Sequence, residues 1–176
     1  SAAAPAPVPD RLLDRVGRMI RSAAAPVVIC GGGVIAASAA AELRFLAERA
    51  DAPVASTLMG LGGFPGTHPL SLGMLGMHGT YYANMAIHNS DLIIAIGARF
   101  DDRVTGSVSK FAPHAKIIHI DIDPAEIGKN VRVDVPIVGD VKNVLSELNK
   151  NVETQTHVDW IAQGEGWRRD HPLLAI

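Results

Sequence analysis

Residues 26–33 read PVVICGGG, and this stretch decides the fold prediction. Residues 27–30 form a short apolar run that is rich in β-branched side chains, and three consecutive glycines follow it directly. A fully apolar run that ends in glycines is typical of a strand buried on both faces of a parallel sheet, followed by a tight turn. The stretch therefore predicts a central parallel strand at this position.

The same pattern recurs along the chain. The predicted strands span residues 27–30, 54–59, 92–96, 116–122 and 135–138. Predicted helices begin at residue 10 and cover 38–50, 80–89 and 141–149. Short apolar strands that alternate with helices indicate βαβ units. We therefore predict an α/β fold, a three-layer Rossmann-like domain with a parallel sheet of about six strands flanked by helices.

The composition limits the possible functions. The 176 residues are 48% hydrophobic, which suits one domain with extensions. Sixteen Lys and Arg against eighteen Asp and Glu give a net charge of -2, so a general nucleic-acid binder is disfavoured. The single cysteine excludes an internal disulfide framework and favours a reducing, cytoplasmic setting. No apolar run has the ~18 residues of a membrane span, and we expect no signal peptide.

Both ends of the chain differ from its middle. Residues 1–9 read SAAAPAPVP, a composition that predicts a linker before a domain of residues 10–150. Residues 151–176 are more polar but include Trp160 and Trp167. Seven positions apart, the two rings would share one face of a helix. They could dock onto something outside this chain or pack on its own surface, and the sequence leaves both alternatives open.

Glycines and carboxylates follow the predicted strands. Gly31 and Gly97 each follow one strand, whereas Asp121 and Asp140 lie at the ends of the last two. Parallel sheets bind ligands at the carboxyl ends of their strands. Glycine lets a ligand approach the backbone N–H groups that favour phosphate, and carboxylates can accept hydrogen bonds from ribose hydroxyls. The pattern favours a nucleotide cofactor, with ordinary turn chemistry as the alternative.

A nicotinamide dinucleotide is the first nucleotide to consider. Gly31, Gly33 and Ala36 fit the pattern G-x-G-x-x-A, which is a short match. The fingerprint also requires an acidic residue at the end of the second strand, to bind the ribose. Residues 56–59 read STLM and contain no acid. A self-standing NAD-binding protein, similar in fold to sirtuin-type deacylases, is therefore an alternative that lacks half of its motif.

Three weaker features have ordinary structural explanations. His119, Asp121 and Asp123 alternate along one strand and could share a face, but no two-His motif with a known metal spacing accompanies them. Cys30 ends a buried strand, so we interpret it as a small core residue and not a nucleophile. The methionines near the glycine-rich loops could pack in the core or against a flat ring system; they are Met59, Met74, Met77 and Met85.

Three long strings carry a family resemblance. They are STLMGLGGFPGTHPLSLGMLGMHGTYYAN at 56–84, GARFDDRVTG at 97–106 and HIDIDPAEIGKN at 119–130. Together they resemble the central domain of the acetohydroxyacid synthase (acetolactate synthase) large subunit, over about residues 10–150. The tail, DWIAQGEGWRRDHPL, resembles the lead-in to that family's third domain. The resemblance implies a linker at 1–9, a central FAD-binding domain at 10–150 and the start of a following domain at 151–176.

The resemblance also implies the reaction and its cofactors. The family condenses two pyruvates, or pyruvate and 2-oxobutyrate, to 2-acetohydroxy acids in branched-chain amino acid biosynthesis. Thiamine diphosphate with Mg²⁺ performs the chemistry and is bound by the other domains, whereas FAD is bound largely by the middle domain and has no net redox role. The resemblance therefore implies no catalytic residue and no metal ligand in this chain, which we expect to be inactive alone.

Individual residues match positions that contact the flavin cofactor in this family. They are Gly32, Thr57, Leu58, Leu75, Gly76, Met77, His78, Gly97, Ala98, Arg99, Phe100, Asp101, Asp121, Ile122, Asp140 and Val141. Asp102 and Arg103 match positions near the substrate channel, where the planar fork of an arginine suits a pyruvate carboxylate.

The resemblance further implies partners. They are the other domains of the same chain, a homodimer or tetramer of the parent enzyme and a regulatory small subunit, with no nucleic acid and no membrane. A related carboligase that also holds FAD, such as glyoxylate carboligase, is an alternative within the thiamine enzymes. A non-catalytic scaffold module, in which the cofactor loops no longer bind a ligand, is a further alternative. Loss of the strand-end glycines or acids would favour it, and here they are intact.

Overall fold

A six-stranded, all-parallel sheet forms the centre of this computed structural model, which describes residues 7–105 and 110–173. The strands are β1 (Pro26–Cys30), β2 (Val54–Ser56), β3 (Ser71–Met74), β4 (Leu92–Ile96), β5 (Lys116–Asp121) and β6 (Val135–Val138). Their order across the sheet is β3-β2-β1-β4-β5-β6, so the direction of winding reverses between β1 and β4. This arrangement confirms the predicted α/β fold.

Helices cover both faces of the sheet. They are α1 (Asp10–Ser22), α2 (Gly32–Ala36), α3 (Ala40–Ala50), α4 (Tyr81–Asn89), α5 (Asp102–Thr105), α6 (Val141–Asn149) and α7 (Val158–Asp170). Val28 packs in one core with α1, α3 and α6, whereas its neighbours Val27 and Ile29 pack in a second core with α4 and α7. The alternation follows from the two-residue period of a strand. The result is the three-layer structure that the sequence predicts.

The strand predictions were accurate from β4 to β6 and least accurate at the β2–β3 side of the sheet. The predicted strands at 92–96 and 135–138 and the helix at 141–149 have the observed bounds. The strand predicted at 54–59 is shorter, because β2 ends at Ser56 and Leu58–Gly60 form a 3₁₀ turn. The edge strand β3 was not predicted. It is only four residues long and contains Gly73 at a φ of 76°, which obscures the strand pattern.

The glycines after β1 and β4 allow two turns to touch. A Cβ on Gly31 would lie 2.2 Å from the carbonyl oxygen of Gly97, and one on Gly33 would lie 2.7 Å from the Gly97 Cα. Gly97 has a φ of 59°, in the left-handed region that favours glycine. The Gly33 N–H donates to the Gly97 carbonyl oxygen at 2.9 Å and holds the turns together. Side chains at these positions would separate the two central strands at their ends.

The terminal helix α7 packs on the same domain. Trp160 is 7% exposed, and its indole N–H donates to the Pro26 carbonyl oxygen at 2.9 Å. The Trp167 ring meets it edge-on at 6.0 Å. Arg168 donates a hydrogen bond to the carbonyl oxygen of Ser71. Of the two alternatives for the tryptophans, packing on this chain's own surface is therefore the one observed.

The proposed domain boundary at residue 150 stays a prediction. Helix α7 lies beyond that boundary, and its Trp160 packs in the second core. None of the helices in the described ranges combines the length and apolar composition that a membrane crossing requires.

The contact between the two turns predicts an unequal effect of alanine at two glycines. Gly31→Ala should lower the free energy of unfolding by about 3 kcal/mol, because the new methyl group overlaps the backbone at Gly97. Gly66→Ala should be nearly neutral, since no atom lies within 4 Å of its Cβ position. Urea denaturation of both variants tests this, and equal stabilities would contradict it.

The burial of Trp160 predicts that α7 contributes strongly to stability. Trp160→Ala should lower the unfolding free energy by about 3–5 kcal/mol, through a lost ring and a lost hydrogen bond. Val158→Ala is the matched control in the same helix, since that side chain is 72% exposed. If thermal denaturation shows the same stability for both variants, α7 is not part of the cooperative unit.

Candidate functional site

The predicted site residues lie at the carboxyl edge of the sheet, because all six strands run in the same direction. The direction of winding reverses between β1 and β4, and open α/β sheets bind ligands at the carboxyl edge beside such a reversal. The predicted residues follow the strands in turn: Gly32 after β1; Thr57 and Leu58 after β2; Leu75, Gly76, Met77 and His78 after β3; Gly97, Ala98, Arg99, Phe100 and Asp101 after β4; Asp121 and Ile122 at β5; Asp140 and Val141 after β6.

Large apolar side chains are exposed around this edge. Leu58, Met59, Met77 and Ile122 are each more than 60% exposed. We call the whole set the apolar rim: Ile35, Leu58, Met59, Leu61, Met77, Ile122 and Val138. Grouped apolar exposure on a folded domain marks a surface that a ligand or another polypeptide covers. Of the methionines near the glycine loops, Met59 and Met77 therefore face outward, whereas the other two are partly buried.

The loop after β3 is held by one amide side chain. Asn84 of α4 accepts a hydrogen bond from the Gly76 N–H and donates one to the Gly76 carbonyl oxygen, both at 2.8 Å. Gly76 has a φ of 98°, which favours glycine. Thr80 closes the loop by donating to the Leu72 carbonyl oxygen and by accepting from the Ala83 N–H. The backbone between Leu75 and Gly79 is thus fixed from two sides.

The loop after β4 is held by a buried histidine. The His119 ring is fully buried, and its Nε2 lies 2.9 Å from the Ala98 carbonyl oxygen. Phe100 meets the ring edge-on at 5.0 Å. Burial lowers the pKa of His119 below its usual 6.5, so the ring is neutral and its Nε2–H donates to Ala98. His119 is a positioning residue for the loop and not an exposed acid or base.

Two further residues from the connection between β5 and β6 hold this same loop. The Asn130 amide donates to the Phe100 carbonyl oxygen at 2.6 Å, and the Arg99 Nε lies 3.6 Å from a Glu126 carboxylate oxygen. Sequence reasoning missed both of these residues, and also Asn84. Asn130 and Glu126 act on a segment from another part of the chain, and Asn84 acts on the backbone of Gly76 eight positions earlier. None of the three contacts follows a spacing that a known motif prescribes.

The two predicted acids already serve the backbone. Asp121 is 7% exposed, and its Oδ1 accepts from the Asp123 N–H at 2.9 Å. Asp140 caps α6 by accepting from the Asn143 N–H, also at 2.9 Å. Turn chemistry therefore operates at both positions. A carboxylate has several acceptor positions, so both groups retain acceptor capacity beyond these backbone contacts.

The remaining predictions have different outcomes. No cluster of three His, Cys, Asp or Glu side chains among the described residues is suited to a metal ion, so the alternation of His119, Asp121 and Asp123 does not form one. Cys30 is fully buried, and burial raises the pKa of its thiol to about 11, which confirms it as a core residue. Asp102 and Arg103 begin α5, but their side chains lie outside the described part of the structure.

Comparison with known families agrees with the fold and with the resemblance in the loops. The model of the family described as "Thiamine pyrophosphate enzyme, central domain" matches residues 13–148. The chain belongs to this family. The description "central domain" means that, in these enzymes, this domain is one of several domains in the chain.

Individual relatives show which enzymes of this family the chain is similar to. A protein of Methanocaldococcus jannaschii named "Probable acetolactate synthase large subunit" is 60% identical over 136 residues, which cover 77% of this chain and 23% of the relative. The "Acetolactate synthase" of Mycobacterium bovis is 51% identical over 170 residues, 93% of this chain and 28% of the relative. The chain thus spans about a quarter of the length of these curated relatives. The resemblance to acetolactate synthase is confirmed.

The neutral state of His119 predicts a pH dependence of stability. Because the folded protein lowers the pKa of this base, the unfolded chain binds the proton more readily, and stability falls as the pH drops below about 6.5. His119→Gln keeps an amide donor for Ala98 but cannot titrate. Urea denaturation between pH 7.5 and about 5.5 should show a smaller loss of stability for this variant than for the wild type. Parallel pH profiles would contradict the assignment.

Proposed function

We propose that this chain is the FAD-binding central domain of an acetolactate synthase large subunit. The observation that carries the proposal is the 60% identity to a protein of that name over 136 residues, which include most of this domain. The parent enzyme condenses two pyruvates, or pyruvate with 2-oxobutyrate, to 2-acetohydroxy acids. The central domain contributes a binding surface to this reaction, and the chemistry belongs to thiamine diphosphate.

Two features of the carboxyl edge fit FAD. The apolar rim offers aliphatic and thioether groups to the flat isoalloxazine ring, and methionine sulfur makes favourable contacts with aromatic systems. Asp121 and Asp140 offer carboxylate oxygens at the β5–β6 end of the same edge, where the adenosine hydroxyls would bind. The sheet order separates these acids from the rim residues Leu58, Met59 and Met77, which follow β2 and β3, and an extended dinucleotide would span that separation. Bound FAD would supply a structural ring system beside the reaction centre.

The turn after β1 would donate few hydrogen bonds to the pyrophosphate of a bound dinucleotide. The N–H groups of Gly31 and Gly33 donate to the carbonyl oxygens of Ile96 and Gly97, at 2.9 Å each. They are therefore engaged with the neighbouring turn, unlike the amides of a phosphate-binding dinucleotide loop. Together with the absence of an acid after β2, this geometry argues against the self-standing NAD-binding alternative.

The substrate side is proposed from the resemblance. Asp102 and Arg103 follow the loop after β4, where the guanidinium fork of an arginine could hold a pyruvate carboxylate. Thiamine diphosphate and Mg²⁺ would be bound by the other domains of the parent chain. That chain would act in the cytoplasm as a homodimer or tetramer, with a regulatory small subunit as its partner.

The activity is tested with the full-length protein. Supplied with pyruvate, thiamine diphosphate, Mg²⁺ and FAD, it should form acetolactate, and the 176-residue segment under the same conditions should form none. Glyoxylate is the control substrate, because its use in place of pyruvate would favour the glyoxylate carboligase alternative. Acetolactate formation by the segment alone would contradict the division of roles proposed here.

The FAD assignment predicts a specific effect at Asp140. Asp140→Ser keeps a good helix N-cap for α6 but removes the carboxylate, so the fold should persist while FAD binding weakens roughly tenfold. Asp123→Ser is the matched control, because Asp123 is an exposed aspartate whose carboxylate likewise accepts a hydrogen bond from a nearby backbone N–H, that of Ala125. Calorimetric titration of the full-length protein measures both. If the two variants bind FAD with equal affinity, Asp140 does not contact the cofactor.

A further inference from the structure

The exposed side of α1 is rich in arginine. Arg11, Arg15, Arg18 and Arg21 all face solvent in this thirteen-residue helix. The helix also carries Asp10 and Asp14, so its net charge is positive although the whole chain has a net charge of -2. The positive charge is therefore concentrated locally on one helix.

Two concave pockets flank this helix. One has a volume of about 450 Å³ and lies against the chain that follows α6; its cations are Arg18, Arg21, Arg49 and Lys150. The other has a volume of about 490 Å³ and lies against the starts of β4 and β5; its cations are Arg15, Arg18 and Lys116. Arg18 lines both pockets. We call α1 with these two pockets the amino-edge basic surface.

Nearby acids compensate part of this charge, and they do so mainly in the first pocket, where Lys150 lies 3.1 Å from Glu147 and the Arg49 Nε–H donates to the Val152 carbonyl oxygen. Glu153 lies 3.5 Å from Arg21, and the Asp91 carboxylate accepts hydrogen bonds from the Ala24 and Ala25 N–H groups. Asp14 also lines the first pocket. Within the described residues, neither Arg15 nor Arg18 forms an ion pair, and the structure therefore presents guanidinium groups beside concave surfaces.

We propose that the amino-edge basic surface docks an acidic segment of a second polypeptide. The inference rests on the proposed function, because the small subunit expected for an acetolactate synthase large subunit supplies the partner to be tested. Arginine is enriched in protein interfaces because its planar fork binds carboxylates through two parallel hydrogen bonds. The pockets on either side of α1 would admit the flanking side chains of such a segment.

The surface is less suited to a nucleic acid. Single-stranded nucleic acids are bound by basic grooves with aromatic side chains on which bases stack. No aromatic side chain of the described residues lines either pocket.

The position of the surface separates it from the candidate cofactor site. Ser22 at the end of α1 and Lys116 at the start of β5 both lie at the amino edge of the sheet. The apolar rim lies at the carboxyl edge, and strands of five or six residues place the edges roughly 17–20 Å apart. A segment bound in the two pockets, at the carboxyl-terminal end of α1, would therefore not cover the cofactor edge directly.

The test measures binding of the small subunit to the full-length large subunit. In surface plasmon resonance, the double variant Arg15→Glu/Arg18→Glu should bind the small subunit about tenfold more weakly than the wild type, and wild-type affinity should fall as salt increases. Lys116→Glu, on a different element, should weaken binding in the same direction. Arg11→Glu is the matched control on the same helix, since Arg11 lines neither pocket, and its affinity should change by less than about twofold.

The outcomes separate this inference from the proposed function. Acetolactate formation by the double variant without the small subunit should equal that of the wild type. If the wild-type protein forms no acetolactate, the proposed function is wrong, and this holds for any result of the binding measurement. If acetolactate is formed and the double variant binds the small subunit with wild-type affinity, the docking inference is overturned. It is also overturned if a single-stranded oligonucleotide is the only probe whose binding the substitutions weaken.

Discussion

The close approach of the turns after β1 and β4 is the constraint on which the structure depends. Because Gly31, Gly33 and Gly97 have no side chains, the two backbones touch and share hydrogen bonds at the ends of the central strands. The contact keeps β1 and β4 paired along their full length, with both strands completely buried. It also fixes the point at which the winding reverses, where loops from both halves of the sheet converge on one edge.

The loops at that edge are positioned by side chains from elsewhere. Asn84 fixes the loop after β3 from a helix, whereas His119 and Asn130 fix the loop after β4 from the neighbouring strand and its connection. In each case the side chain forms a buried or partly buried hydrogen bond with a backbone group that would otherwise need water. A binding surface whose loops are held in this way loses little conformational entropy when a ligand arrives. The hydrogen bonds to these loops therefore reduce the entropy cost of binding at an edge that has no regular secondary structure.

The sequence predicted these features unequally, for physical reasons. Strands such as β4 are buried on both faces, so every side chain is apolar and the pattern is unambiguous. The edge strand β3 contains Gly73 and pairs irregularly with β2, and it left no recognisable pattern. The strand-end glycines and acids could be predicted because they are local to each strand. Glu126 and Asn130 contact the loop after β4 from another part of the chain, and Asn84 contacts Gly76 from the following helix, so their roles are visible only in the folded chain.

The two edges of the sheet carry opposite kinds of unsatisfied surface. The carboxyl edge exposes the apolar rim, whereas the amino edge exposes arginines beside two pockets. Apolar groups gain most from being covered completely, which suits a resident cofactor and tightly packed neighbouring domains. Charged groups lose solvation when they are buried, and they favour contacts that form and dissociate under the control of charge. The proposed cofactor and the proposed polypeptide partner would therefore occupy opposite edges of the domain, and only the partner would dissociate readily.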